Sequence, residues 1–179
     1  AVVVDATGAV VRSWGDPDHL IFPRSAAKPA QVTAMVTRAR RNGLRIIGPS
    51  SMGIASPRPD TRLQAALVDV TLPPGGVAIS MQSGSLGGSF LRKARDVDLG
   101  VSWFISLGDK SDISANDLLQ FWEQDANTTV VAMYTESFGN PRKFARIARR
   151  VSRTRPIVAV RTGSAGEGEI GSALYQQAG

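Results

Sequence analysis

From residue 43 onward short apolar runs alternate with stretches of helical periodicity, and that alternation limits the fold more than any other feature of the chain. Residues 44–47, 65–70, 77–81, 101–106, 130–135 and 157–160 are short and mostly rich in Val and Ile, as strands covered on both faces are. Between them Leu86, Phe90 and Ala94 share one helix face, and Phe144, Ile147, Ala148 and Val151 share another. A third helix is expected over residues 117–124. Strand, helix, strand recurs, which predicts a three-layer α/β unit around a mostly parallel sheet.

Local signals place the ends of these elements. Ser114 precedes Asp117 by three residues, the spacing of a capping box. Pro141 suits the first turn of the 142–151 helix, where a missing N–H costs nothing. Pro73, Pro74, Gly75 and Gly76 read as a turn before a strand. The first forty residues differ: Val2, Val4, Val10 and Arg12 flank Ala6-Thr7-Gly8-Ala9, a hairpin pattern. Residues 29–42 then predict a helix with Val32, Met35, Val36 and Ala39 inward, ending at an Asn42-Gly43 cap. Residues 164–179 read as a glycine-rich tail.

Composition excludes several chemistries. The chain has no Cys, so disulfides, thiolate nucleophiles and Cys-ligated metals are out, and its single histidine, His19, builds no zinc site alone. No apolar run approaches the roughly 20 residues that span a bilayer, and no targeting signal is visible, so a cytoplasmic protein without membrane contact is expected. A net charge of +6 suits an anionic partner such as a nucleotide, nucleic acid or coenzyme A. Arginine preference in a GC-rich genome accounts for it equally well.

The sharpest local feature is Ser80-Met81-Gln82-Ser83-Gly84-Ser85-Leu86-Gly87-Gly88, between a buried strand and an amphipathic helix. In an open α/β sheet this is the carboxyl end of a strand, where ligands bind. Backbone amides at a helix start have no intrahelical partner and carry positive partial charge, so Ser83, Gly84 and Ser85 suit a phosphate. A plain turn with a serine cap fits the same residues. It is neither a Walker A loop nor a dinucleotide fingerprint. Glu136 ends the 130–135 strand and should emerge at the same edge, to orient a histidine or act as a base; capping a helix or pairing with an arginine is the plainer role. The stretch after it, residues 140–155, carries Arg142, Lys143, Arg146, Arg149, Arg150, Arg153 and Arg155, a stripe that reads as a solvated face, and nucleic acid is not the expected partner.

Taken together, Arg45-Ile-Ile-Gly-Pro-Ser-Ser-Met-Gly53, Gln82-Ser-Gly-Ser-Leu-Gly87, Gly108-Asp-Lys-Ser-Asp-Ile-Ser-Ala-Asn-Asp-Leu-Leu119 and Glu136-Ser-Phe-Gly-Asn-Pro-Arg-Lys-Phe144 resemble the motif series of ADP-forming acyl-CoA synthetases, the NDP-forming group that includes succinyl-CoA synthetase. The resemblance covers residues 43–163 and implies a flavodoxin-like domain. Members convert an acyl-CoA, phosphate and ADP to acid, CoA and ATP through an acyl phosphate and a phosphohistidine. It implies that Gln82, Ser83, Gly84 and Ser85 bind phosphate or acyl phosphate, and that Glu136 is the carboxylate that orients the catalytic histidine.

Departures are as informative. The family's histidine follows the strand ending near Arg161, yet residues 162–175 contain none, as though that loop had been deleted. Ser50 and Asp109 each stand where asparagine is usual. The CoA-binding domain and the ATP-grasp domain that carries nucleotide and magnesium are expected from a partner subunit, so CoA, ADP or ATP and Mg are implied only through it. No cofactor or metal is expected on this chain alone, nor activity from it alone.

Residues 2–29 instead resemble the beginning of type II asparaginase, through Val2-Val-Val-Asp-Ala-Thr-Gly-Ala-Val-Val, Gly15-Asp-Pro-Asp and Phe22-Pro-Arg-Ser-Ala-Ala-Lys-Pro29. That family's Ser-x-x-Lys unit would here be Ser25 and Lys28, nucleophile and activating lysine. The expected order is thus 1–42 as hairpin and helix, 43–163 as the ligase-like domain, and 164–179 as tail. A ligase domain ranks first as its function, an inactive binding module second, and an amidohydrolase of asparagine third.

Overall fold

In a computed structural model the structure describes residues 2–4, 10–13 and 28–162. Strands β1 (Val2–Val4) and β2 (Val10–Ser13) pair antiparallel, as the hairpin pattern predicts, and the turn at 6–9 lies outside the described residues. Helix α1 (Lys28–Arg41) ends at Gly43, whose φ of 71° is the left-handed conformation that glycine accepts without a Cβ clash. The Gly43 amide reaches the Arg40 carbonyl at 3.1 Å and the Leu44 amide the Ala39 carbonyl at 2.9 Å, the paired bonds of a Schellman motif. Val36 is buried, but Met35, expected inward, is 60% exposed.

The main sheet comprises β3 (Gly53–Ser56), β4 (Leu63–Ala66), β5 (Pro74–Met81), β6 (Val101–Ser106), β7 (Val130–Thr135) and β8 (Ile157–Arg161), in the order β4-β3-β6-β5-β7-β8. Strands β6, β5, β7 and β8 run parallel, whereas β3 is antiparallel to both β6 and β4. The result is a mixed sheet, parallel over four strands and closed at one side by an antiparallel hairpin. Between the strands lie α2 (Gly84–Asp96), α3 (Ala115–Gln124) and α4 (Pro141–Val151). Leu91 and Ala94 of α2 pack with Ile79, Met81 and Phe104 on one face of the sheet. Leu118, Leu119 and Trp122 of α3 and Phe144, Ile147 and Val151 of α4 pack with Val131 and Met133 on the other. This is the three-layer arrangement read from the sequence.

Several elements differ from the sequence reading for identifiable reasons. Residues 44–47 form no strand: the Ile46 amide is claimed by the Asp112 carboxylate at 2.8 Å, and the Ile46 and Gly48 carbonyls accept the amides of Ile113 and Ser111. The chain there is stitched to a loop instead of a ladder. The strand in that region is β3, four residues that include Gly and Ala and carry little β-propensity. β4 stops at Ala66, short of the expected 65–70, although the Leu67 amide still reaches the Met52 carbonyl at 2.8 Å in register with the β3 pairing. β5 starts at Pro74, so the expected turn is an irregular strand start with shifted register. A Cβ on Gly75 would lie 2.4 Å from the Gly100 Cα, which explains glycine at that crossing. The inward face of α2 passes through Gly87, Leu91 and Ala94; Leu86, expected inward, is 45% exposed. Bare glycine at 87 lets the helix approach, since a Cβ there would already be 3.3 Å from Met52 Sδ and from the Phe104 ring.

The capping box of α3 forms as expected: the Asp117 carboxylate accepts the Ser114 amide at 2.9 Å and the Ser114 hydroxyl at 2.6 Å. Pro141 occupies the start of α4, with Asn140 capping through the Lys143 amide at 3.0 Å.

Candidate functional site

β5 lies between β6 and β7, so the chain leaves β5 through α2 toward one side and returns through α3 to the other. Because α2 covers one face while α3 and α4 cover the opposite one, the loops after β5 and β7 diverge. A crevice outside the carboxyl edge at such a reversal is where open α/β sheets bind ligands. Gln82 and Ser83 leave β5 there, Gly108, Asp109 and Lys110 follow β6, and Glu136 and Ser137 follow β7.

The start of α2 brings backbone donors to this edge. Ser83 is its N-cap, extended at φ −84° and ψ 122°, and its carbonyl accepts the Gly87 amide at 3.1 Å. The Ser83 hydroxyl makes no capping bond, and the first turn holds no acidic residue to oppose an anion. A Cβ on Gly84 would lie 3.2 Å from Met52 Cγ, so the helix start fits closely against the segment that leads into β3. The side chain of Ser85 is outside the described structure.

Gln82 and Glu136, named separately in the sequence, are brought into direct contact. The Gln82 carboxamide oxygen accepts the Glu136 amide at 3.0 Å, the Thr135 hydroxyl at 3.0 Å, the Ser137 amide at 3.4 Å and the Lys110 ammonium at 2.9 Å. Lys110 also donates to the Ser137 carbonyl. Burial lowers the pKa of Lys110, an effect that the nearby Glu136 charge opposes. Glu136 itself is exposed. Lys110 was not singled out from sequence; its signal was a lysine after Gly-Asp at the end of a strand, where φ is 51°.

Ser50 and Asp109, the two departures from the asparagine pattern, are hydrogen-bonded to each other at 2.9 Å. The Asp109 amide also reaches the Pro49 carbonyl at 2.9 Å, and a Cβ on Gly108 would lie 2.0 Å from that same oxygen. The 48–51 loop is therefore pressed onto the end of β6, with the Asp109 carboxylate beside it.

Below this edge Asp112, with a side chain 0% exposed, accepts from Arg40 at 2.5 Å and Arg45 at 3.0 Å as well as from Ile46. Burial pushes its carboxyl up, but the bonds from Arg45, the Ile46 amide and Arg40 outweigh that and hold it at about 2. The group ties α1 to the 109–113 loop. Ser25 lies outside the described residues and Lys28 is the first residue of α1, so the pair's geometry is not described. Among the described residues no cluster of three or more His, Asp or Glu side chains is placed to hold a metal, and no helix is long and apolar enough to cross a membrane.

Comparison with known proteins agrees with the fold. The profile of the succinyl-CoA ligase like flavodoxin domain matches residues 74–177, and that of L-asparaginase II matches residues 1–47. The alpha subunit of acetate–CoA ligase [ADP-forming] I from Pyrococcus furiosus is 32% identical over 141 residues, covering 79% of this chain and 30% of the relative. Among solved structures, PH0766 from Pyrococcus horikoshii OT3 superposes with a TM-score of 0.75 at 31% identity, over 89% of this chain and 35% of that one. The dinucleotide forming acetyl-coenzyme A synthetase 1 of Ca. Korarchaeum cryptofilum, in complex with phosphate and ADP, superposes with a TM-score of 0.72 at 30% identity, over 89% of this chain and 33% of that one. The chain thus spans about a third or less of these relatives. By its profile, its relatives and its sheet, the chain belongs to the family of succinyl-CoA ligase like flavodoxin domains.

Proposed function

We propose that residues 43–163 act as the flavodoxin-like module of an ADP-forming acyl-CoA ligase and bind phosphate or an acyl phosphate at the start of α2. The observation that carries the reading is the carboxyl edge itself, where the start of α2 and Glu136 follow adjacent strands through loops that diverge. Ser83, Gly84 and Ser85 supply the donors, amides at a helix start being suited to an anion. Glu136 supplies a carboxylate that orients an incoming histidine by accepting its ring N–H, which fixes the other nitrogen as the nucleophile. Since residues 162–175 contain no histidine, that imidazole comes from elsewhere, together with the CoA and nucleotide sites. The isolated chain binds the anion without turnover.

A phosphate-dependent rise in melting temperature, absent with chloride at equal ionic strength and absent in a Ser83→Ala/Ser85→Ala variant, is the expected result. A parent that phosphate leaves unshifted would remove the site. The second reading, an amidohydrolase using Ser25 and Lys28, is favoured only by the L-asparaginase II match over residues 1–47. Ammonia release from L-asparagine, lost in Ser25→Ala, would support it.

A further inference from the structure

The Gln82 carboxamide has only one orientation compatible with its neighbours. Two backbone N–H groups and an ammonium, all obligatory donors, converge on one of its atoms, so that atom is the oxygen. Turning the amide over would set its NH2 against three donors that have nothing to offer it. The oxygen has two lone pairs and four donors within reach, counting the Thr135 hydroxyl, so its accepting capacity is fully used by the protein. A phosphate oxygen is also an acceptor and gains nothing from this oxygen, and any anion contact by Gln82 falls to the NH2 of the same carboxamide.

Those donors come from the carboxyl ends of different strands. Gln82 follows β5, Lys110 lies four residues beyond β6, and Thr135 to Ser137 close β7. Lys110 spans the gap twice, binding the Gln82 oxygen and the Ser137 carbonyl. The Thr135 hydroxyl has the Ser137 carbonyl at 2.7 Å as an alternative acceptor, and the Thr135 carbonyl takes the Thr162 amide at 3.1 Å. The backbone on both sides of the Glu136 Cα is thereby pinned, while the residue itself is exposed.

We propose that Gln82 and Lys110 are positioning residues, a bracket across three strand ends that presents Glu136 at the edge. The inference deepens the proposed function, since the role of Glu136 rests on that reading. It adds a positioning role to the part expected of Gln82 from the motif and brings in a residue, Lys110, that the motif did not single out.

The test is amide hydrogen exchange and phosphate titration on the 15N-labelled chain. In Gln82→Ala, protection of the Glu136 and Ser137 amides should fall by about tenfold or more, each having lost its acceptor. Gln82→Glu keeps an acceptor oxygen and should restore the protection. Lys110→Met should deprotect Ser137 and Lys110→Arg should rescue it, which covers the case of a Gln82→Ala chain that fails to fold. Unchanged protection at 136 and 137 in both Gln82→Ala and Lys110→Met overturns the bracket. A phosphate affinity at least about tenfold weaker in Gln82→Ala, with protection intact, makes Gln82 a ligand and also overturns it. If the parent binds no phosphate, the proposed function fails, and the bracket is judged by exchange alone.

Discussion

Replacing Asp112 with asparagine should weaken the fold in a way that depends on pH. The side chain is 0% exposed and accepts from two arginines and the Ile46 amide, so a neutral amide there leaves a donor facing donors. Its folded-state carboxyl titrates at about 2, against an ordinary value of 3.8, and one unit corresponds to about 1.4 kcal/mol, which sets the electrostatic part at no more than about 2.5 kcal/mol. Arg40 and Arg45 are 57% and 50% exposed, and solvent screens them, so about 1–2 kcal/mol is the realistic loss near neutral pH. The sign follows from linkage: a depressed carboxyl stabilises above its unfolded value, and that stability disappears as pH falls through its folded one. The gap between parent and Asp112→Asn in urea unfolding should therefore be full above about pH 5 and nearly closed at about pH 2. A gap that is absent at neutral pH, or constant across that range, would refute the reasoning.

Three further outcomes follow from particular contacts. Gly75→Ala places a methyl 2.4 Å from the Gly100 backbone and should cost about 1–3 kcal/mol, read as a lower urea midpoint at unchanged slope. Asp117→Ala removes both bonds to Ser114 and should cost about 0.5–2 kcal/mol, with faster exchange confined to the first turn of α3. Glu136→Gln removes the charge that raises the Lys110 pKa against burial, so the Lys110 13Cε titration should move to lower pH than in the parent; no movement would separate the two groups.

The parallel strands were legible because each is apolar enough to be read alone, and residues 101–106 and 130–135 have the bounds that their runs predict. The α3 capping box and the α4 proline were legible because both signals are local in sequence. β3 was not, since four residues containing Gly and Ala become a strand only through pairing with β6 and β4, a tertiary effect that leaves no periodicity. Residues 44–47 misled for the converse reason: a strand-like run whose amide Ile46 is taken by Asp112, sixty-six residues away. At the site, the glycine-serine loop and Glu136 announced themselves by position at strand ends. The contact between Gln82 and Lys110 did not, because it depends on β5 and β6 being neighbours and on a left-handed residue at 110. The pairing of Ser50 with Asp109 was equally hidden, each having been noticed only as a departure.

The most direct test of the central claim is a phosphate titration followed by 1H–15N correlation spectra. The account predicts saturable shifts at the amides of Gly84, Ser85 and Leu86, smaller ones at Glu136 and Ser137, and their loss in Ser83→Ala/Ser85→Ala. Shifts confined to the arginines of α4, or a response that grows without saturating and is matched by chloride, would contradict it.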